Sequence, residues 1–550
     1  MQQHSVPRDS IGLQNLPVEL QTAILSHLTS LSDQPTLQAV LLTCKSLSRA
    51  ARPLSVRTFR NINHKRRGGF CSERRNAKFI RYILLTRPEL AISVETLIFG
   101  QFSSTPDMGN DARMPRYPLI ATATFPEPEC ESDDLAIYSK HISNALGPNS
   151  KSEFAERWAA DVEDGCSDAQ LALLLICCPN LRTLCYENPC NQRYFLRALE
   201  LSYGGNTLVQ PVLRRPLSRL RYIYSETQSE HIWTEYPADR NPSPFFRLDS
   251  VRSFEGLMVS SVSEVEQSFA QMPARSSNVE DIAIRGSIVT PEFLQSMLGA
   301  CKAVKRLEFI RRLNPAIVQD MLPYHVLTSI LLHADSMEHL HLNFAEEFQE
   351  CNPPHADNLC FDSGLRNMTS MKTLVTGMRS LTGLFNGYTS LGAPYALSPR
   401  VPRVEGAPNL VDCLPENLES LEIHRCGEDI LEQAQQLISV VQEGKSFKRL
   451  KRVRLLFDQE KVDPDKIRLS FDPAVIHVEI VFQSLRNRLF DLIPSSWEYG
   501  RRVDAISSPI YCQESREHWL AVRGGDIGLA KLWGDEPPEL FRIQDYDHFV

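Results

Sequence analysis

Three groups of side chains in this 550-residue chain are of types that can do chemistry. Cys351, His355 and Cys360 offer two thiols and an imidazole, a ligand set that zinc accepts. Pro353 and Pro354 interrupt the run and no second paired half follows, so the spacing is not that of a metal site and no metal is expected. His333, His339 and His341 lie close together, but His339 and His341 fall on the wet face of one predicted strand, where an exposed pair belongs to a binding surface rather than to acid–base work. Cys177, Cys178 and Cys185 sit in or next to apolar runs, which reads as core packing rather than a nucleophile. The chain holds no Gly-rich phosphate loop, no H-E-x-x-H and no G-x-S-x-G. Neither a catalytic residue nor a cofactor is therefore expected. An enzyme with dispersed residues is the alternative, recognisable by a deep pocket of convergent polar groups.

Charge narrows the partners. With 59 Lys and Arg against 67 Asp and Glu the net charge is −8, which gives no general attraction to nucleic acid. The distribution is uneven: Arg49 to Arg87 holds twelve basic residues and one acid, Glu73. Its densest part, His64-Lys65-Arg66-Arg67-Gly68-Gly69 with Arg74-Arg75, suits an import signal or a phosphate patch. It lacks the interleaved aromatics of a nucleic-acid platform, so a solvated basic loop and helix face is the first expectation, and a nuclear scaffold the alternative. The longest strongly apolar stretch, Leu171 to Cys178, is far short of the roughly 20 residues that cross a bilayer as a helix, so no membrane span is expected. Fourteen cysteines form no C-x-x-C pair, and no apolar run follows Met1 to Ser10, which together point to a reduced, intracellular chain in the cytoplasm, the nucleus or both.

The elements that must position any site fall into two styles. Residues 1–12 are polar and expected to be disordered. Asn15-Leu16-Pro17 supplies an N-cap and a proline at a first helical turn. Leu16, Leu20, Ile24 and Leu28 then recur every four residues as an apolar stripe, with Glu19, Gln21, Thr22 and Ser26 away from it. Leu37, Val40, Leu41, Cys44 and Leu47 make a second stripe that ends before Pro53. Asn76 to Thr86, with Phe79, Ile80, Ile83 and Leu84, is expected to add a third helix to the same small bundle. A unit of about 60 residues is marginal alone, so a partner should cover its remaining apolar surface.

These residues resemble an F-box. Leu16-Pro17-Val18-Glu19-Leu20, Ile24-Leu25-Ser26-His27-Leu28 and Leu37 through Thr43-Cys44-Lys45-Ser46-Leu47 carry the likeness, over roughly 40 of the 550 residues. The interval Thr29 to Thr36 is longer than is common, and Leu47 stands where many members carry Trp. The resemblance implies a three-helix module at 13–60 that docks on the Skp-type adaptor of a cullin-RING ubiquitin ligase. Leu16, Pro17, Glu19, Leu20, Ile24, Leu28, Leu37, Leu41, Cys44 and Leu47 would be the docking residues.

Beyond a basic linker and helix at 61–93, an apolar-x-x-apolar-x-apolar pattern recurs. Full copies start at Val94, Leu181, Val279, Val304, Met337, Leu418, Leu450 and Val475, and degenerate ones at Leu220, Leu248 and Met371. The residue after the first apolar position is charged in ten of the eleven copies, Ile476 being the exception. Such alternation suits a short strand with one face buried and one wet. Several copies follow a helical stretch and a turn, which predicts an irregular α/β solenoid over 94–500. It resembles the degenerate leucine-rich-repeat regions that follow many F-boxes, without their asparagine ladder. Insertions are expected at 101–134 and 386–415, and a cap and tail at 501–550. The wet strand positions become the candidate target-binding residues: Arg182, Lys305, Arg306, Glu308, Glu338, His339, His341, Glu419, Glu422, Lys451, Arg452 and Arg454. Lys448 to Arg454 forms a basic patch flanked by acids, which would favour an acidic or phosphorylated target segment. The expected partners are thus the adaptor, a cullin through it and an unidentified protein target.

Overall fold

The computed structural model describes residues 12–28, 34–61, 73–100, 132–147, 152–187, 193–203, 215–226, 242–257, 259, 263–287, 289–311, 323–344, 360–384, 407–458, 462 and 467–483. The described residues divide into two compact units, one within residues 1–55 and the other within 56–493.

The described part of the first unit is helical. A 3-10 turn at Leu13–Asn15 leads through Pro17 into α1 (Val18–Leu25). The predicted second stripe is split between α2 (Gln34–Leu41) and α3 (Lys45–Ser55). The break has a local cause: the Thr43 hydroxyl donates to the Val40 carbonyl at the end of α2, and the Cys44 carbonyl accepts the Ser48 amide that opens α3. Leu25, Leu37, Ala50 and Ala51 form the core, lined by Leu28, Val40, Leu41 and Leu54. The third helix is thus α3. The segment expected in that place forms α4 (Glu73–Arg81) and a π turn at Tyr82–Thr86, and its Ile80, Ile83 and Leu84 are buried in the core of the second unit.

The second unit is α/β. Twelve strands form one open sheet: β1 (Thr58–Asn61), β2 (Thr96–Phe99), β3 (Thr183–Glu187), β4 (Tyr222–Glu226), β5 (Ser253–Leu257), β6 (Asp281–Ser287), β7 (Arg306–Arg311), β8 (His339–Asn343), β9 (Thr373–Gly377), β10 (Ser420–Cys426), β11 (Arg452–Asp458) and β12 (His477–Gln483). Every strand is parallel to the next and the order is that of the chain. Each connection therefore steps one strand sideways. Between β2 and β3 run α5 (Ser132–Leu146), α6 (Ser152–Glu163) and α7 (Ser167–Cys177). Later connections carry α8 (Arg193–Tyr203), α9 (Ser243–Phe246), α10 (Ser263–Ala270), α11 (Pro291–Ala300), α12 (Pro323–Ile330), α13 (Met378–Thr382), α14 (Leu410–Cys413) and α15 (Ile430–Gln442).

One register row crosses the whole sheet: Phe59, Leu97, Leu184, Ile223, Phe254, Ile282, Leu307, Leu340, Leu374, Leu421, Val453 and Val478. All twelve are buried, in one core with the inner faces of the helices. The row corrects two sequence assignments. The copy placed at Leu248 belongs three residues later, at Val251-Phe254-Gly256, and a further copy, Val56-Phe59-Asn61, opens the sheet inside the stretch expected to belong to the helical module. Gly256 is a close-approach position, because a Cβ there would meet Val259 Cγ2 at 2.5 Å.

The turns before the strands are stitched by short polar side chains. Asn180 donates to the Ile92 carbonyl at 2.6 Å, Asn278 to Asp249 at 2.9 Å and Asn417 to Thr369 at 2.7 Å. Ser250, Ser336 and Ser370 donate likewise to Leu217, Val304 and Asp335. Each bond links one strand unit to the one before it, so a polar ladder is present. It stands just before the strands, on Asn and Ser together, and a search for asparagine alone misses it. A second buried polar device serves the helices: the Asp168 carboxylate in α7 accepts the Tyr194 and Phe195 amides at 2.8 and 3.0 Å, capping α8 from a distance. Burial, opposed by those two hydrogen bonds, pushes this carboxyl up to about 6.

Candidate functional site

Each unit presents one surface of interest. On the helical unit, the inward side of α1 is not the predicted stripe. Gln21 is buried; its amide donates to the carbonyls of Gln14 and Leu16 and accepts from the Ser46 hydroxyl of α3 at 2.9 Å. Leu25, one turn on, is buried beside it. That orientation turns Leu20 and Ile24 outward, where they are 51% and 47% exposed, with Val18 at 43% and Leu42, after α2, at 88%. Pro17 and Glu19 are exposed as well, Leu16, Leu28, Leu41 and Cys44 are half-buried, and Leu37 and Leu47 belong to the interior. The adaptor-docking residues expected from sequence thus divide into an outer set and a supporting set. Leu42 was missed, its exposure being set by the turn between α2 and α3.

On the sheet unit, two rows of side chains hold most of the candidate residues, one just before the strands and one on the strand face opposite the core. The row nearest the strand starts holds Arg57, Glu95, Arg182, Arg221, Arg252, Glu280, Lys305, Glu338, Lys372, Glu419 and Lys451, each with its amide or carbonyl bonded to its neighbour in the row. Pairs within it meet: Arg57 and Glu95 at 2.9 Å, Lys305 and Glu280 at 2.6 Å, and Lys372 with Glu338. The Lys372 hydrogen bond holds Glu338 below the usual carboxylate range.

The second row runs Arg60, Ile98, Cys185, Tyr224, Glu255, Ala283, Glu308, His341, Val375, Glu422, Arg454 and Glu479. It changes character along its length. Ile98, Cys185 and Tyr224 are buried, whereas a charge network begins at Glu255. Arg285 bridges Glu255 and Glu308, with Nε to Oε1 of Glu308 at 2.8 Å and Nη2 to Oε2 at 2.5 Å. Burial opposes the charge on Glu308, but Arg285 and His341 outweigh it and hold the carboxyl well below its ordinary range. His341 Nδ1 stands 3.3 Å from Glu308, and its ring meets that of His424 edge to face at 5.9 Å. His424 reaches Glu422 at 2.5 Å, and Arg454 lies between Glu422 at 3.5 Å and Glu479 at 3.3 Å.

This geometry sorts the candidate target-binding residues. Glu308, His341, Glu422, Arg452 and Arg454 belong to one paired network, while Arg182, Arg306, Lys305, Glu419 and Lys451 are exposed at the strand starts. His339 is half-buried, and burial, with Arg306 beside it, pushes its imidazole below the ordinary value. The basic patch expected to take an acidic or phosphorylated segment is changed most. Arg452 is paired with Glu479 at 2.8 Å and Arg454 with Glu422 and Glu479, so both guanidiniums already hold carboxylate partners of the chain itself.

The remaining chemical candidates resolve similarly. Burial pushes the Cys177 thiol up to about 12 and those of Cys178 and Cys185 well up, which suits packing rather than nucleophilic attack. Cys351 and His355 lie outside the described residues, and among those described no group of His, Cys, Asp or Glu is arranged to hold a metal ion. Among the described residues no helix is long and apolar enough to cross a membrane. Of the basic segment, Arg57 pairs with Glu95 and Arg81 with Asp134 at 3.0 Å, while Lys65, Arg66 and Arg67 lie outside the described residues. No protein-family profile matches the chain, and no curated protein is similar to it.

Proposed function

We propose that the chain is the target-recognition subunit of a Skp-cullin-F-box type ubiquitin ligase. Its helical unit would be an F-box that docks the adaptor, and its sheet unit an irregular leucine-rich-repeat-like solenoid that holds a protein target. The observation that carries the first half is the outward face of α1. A unit this small keeps Leu20 and Ile24 half in water although their burial would be worth about 1 kcal/mol each, which suits a surface that a partner completes. Parallel strands in chain order, one step per connection, with a polar ladder in their turns, support the second half. Such a receptor performs no chemistry. It raises the effective concentration of target near a recruited conjugating enzyme, in the cytoplasm or the nucleus. Affinity capture of the full chain from cells, probed for the adaptor and cullin, tests the reading. Both should be recovered, and their absence from the captured material would remove the docking half.

A further inference from the structure

The strand-start row carries a feature that its own pairing makes visible. From Glu280 to Lys451 the signs alternate without a fault: Glu280, Lys305, Glu338, Lys372, Glu419, Lys451. At β3, β4 and β5 alternation stops, and Arg182, Arg221 and Arg252 follow one another. They are register neighbours: the Arg221 amide bonds to the Arg182 carbonyl at 2.8 Å and the Arg252 amide to the Arg221 carbonyl at 2.9 Å. All three are exposed. The acids at either end are engaged elsewhere, since Glu95 is 2.9 Å from Arg57 against 3.9 Å from Arg182, and Glu280 is 2.6 Å from Lys305. Among the described residues Arg252 donates to the backbone carbonyls of Asp249 and Val251 alone, and Arg221 has no side-chain hydrogen bond or ion pair.

Like charges on adjacent strands, about 4.8 Å apart, repel, so the run weakens the fold unless an anion lies over it. We infer that Arg182, Arg221 and Arg252 form the seat for an acidic peptide segment of the target, with clustered carboxylates held by charge-assisted hydrogen bonds from three guanidinium forks. The inference rests on assigning the sheet unit to target capture. A peptide is favoured over nucleic acid because the chain is acidic overall and the run spans only about 10 Å, the reach of three or four extended residues. Arginine suits the task, being always charged and presenting paired donors that match a carboxylate.

The test uses the full chain and a labelled peptide of six glutamates in a Gly-Ser frame, with the six-glutamine peptide and a single-stranded oligothymidylate as comparisons. The adaptor takes no part, so the result is independent of docking. The glutamate peptide should bind and the glutamine peptide should not. Arg221→Glu should weaken binding about tenfold or more. The same variant restores alternation, so its melting temperature should stay level or rise, an outcome that a purely structural arginine would not give. Arg221→Gln, with the charge removed and none added, should fall between. The inference fails if the wild-type chain ignores the glutamate peptide, if Arg221→Glu binds it unchanged, if both variants melt lower than wild type, or if the oligonucleotide displaces the peptide through the same arginine.

Discussion

Replacing Arg285 by Leu should be among the costliest single changes on the polar face. Arg285 makes two charge-assisted contacts to Glu308 and one to Glu255, and all three side chains keep only 13–21% of their surface in water. Removing the cation leaves two carboxylates with little solvent, His341 staying beside Glu308 and the Tyr222 hydroxyl on Glu255. Breaking a buried pair in this way costs about 3–5 kcal/mol, and residual hydration at these exposures puts the expected loss near the lower end. The sign of the pH dependence follows. In the intact chain Glu308 titrates below its unfolded value, so its contribution is present above about pH 4.5 and is lost as pH falls through the folded value. Without Arg285, of the two partners that hold Glu308 down only His341 is left to oppose burial, so that contribution shrinks. The gap between the two proteins should therefore be largest near pH 7 and shrink as pH falls below about 4.5. Urea denaturation followed by fluorescence at several pH values measures it. A gap under about 1 kcal/mol, or one independent of pH, would show that Arg285 is solvated rather than bridging.

Two further outcomes follow from the core and its polar inserts. Leu307→Ala, at a fully buried position of the central row, should lower unfolding free energy by about 2–5 kcal/mol in the same assay, and a loss below 1 kcal/mol would deny the continuous core. The Asp168 carboxyl titrates near 6 in the folded chain against an ordinary 3.8, so its favourable contribution is complete below about pH 4 and is lost as pH rises through 6. Asp168→Asn should flatten that part of the stability profile, by on the order of 2–3 kcal/mol between pH 4 and 7, and an unchanged slope would show the carboxylate to be paired and charged throughout.

The strands were legible where the last apolar position is filled, as at Val279-Ile282-Ile284 and Leu418-Leu421-Ile423. They blurred where a close approach or a polar insert replaces it. Gly256 removed the last marker of β5 and let the reading slide to Leu248, and Asn61 hid β1 at the border of the helical unit. The α1 stripe was correctly seen as apolar, but which edge of it faces inward depended on Gln21, a polar residue buried because its amide is satisfied by Gln14, Leu16 and Ser46. A polar residue gives periodicity no sign of such burial. The network on the wet face was invisible for a different reason. Arg454 meets Glu422 from 32 residues away and Glu479 from 25, and only the register of β10, β11 and β12 brings their charges together. Composition showed a basic patch there; pairing engages Arg452 and Arg454, while Lys448, Arg449 and Lys451 stay exposed.

The central claim is that the outward face of α1 docks a Skp-type adaptor, and the most direct measurement is calorimetric titration of purified adaptor into the full chain and into the Leu20→Asp, Ile24→Asp double variant. Both positions are half exposed, so the variant should keep its melting temperature within a few degrees. Losing two apolar contacts and burying two carboxylates against the partner should weaken binding by about a hundredfold or more. Saturable binding by the wild-type chain, lost in a variant that melts normally, is the result predicted. Absence of binding by the wild-type chain, or equal binding by the two proteins, would contradict it.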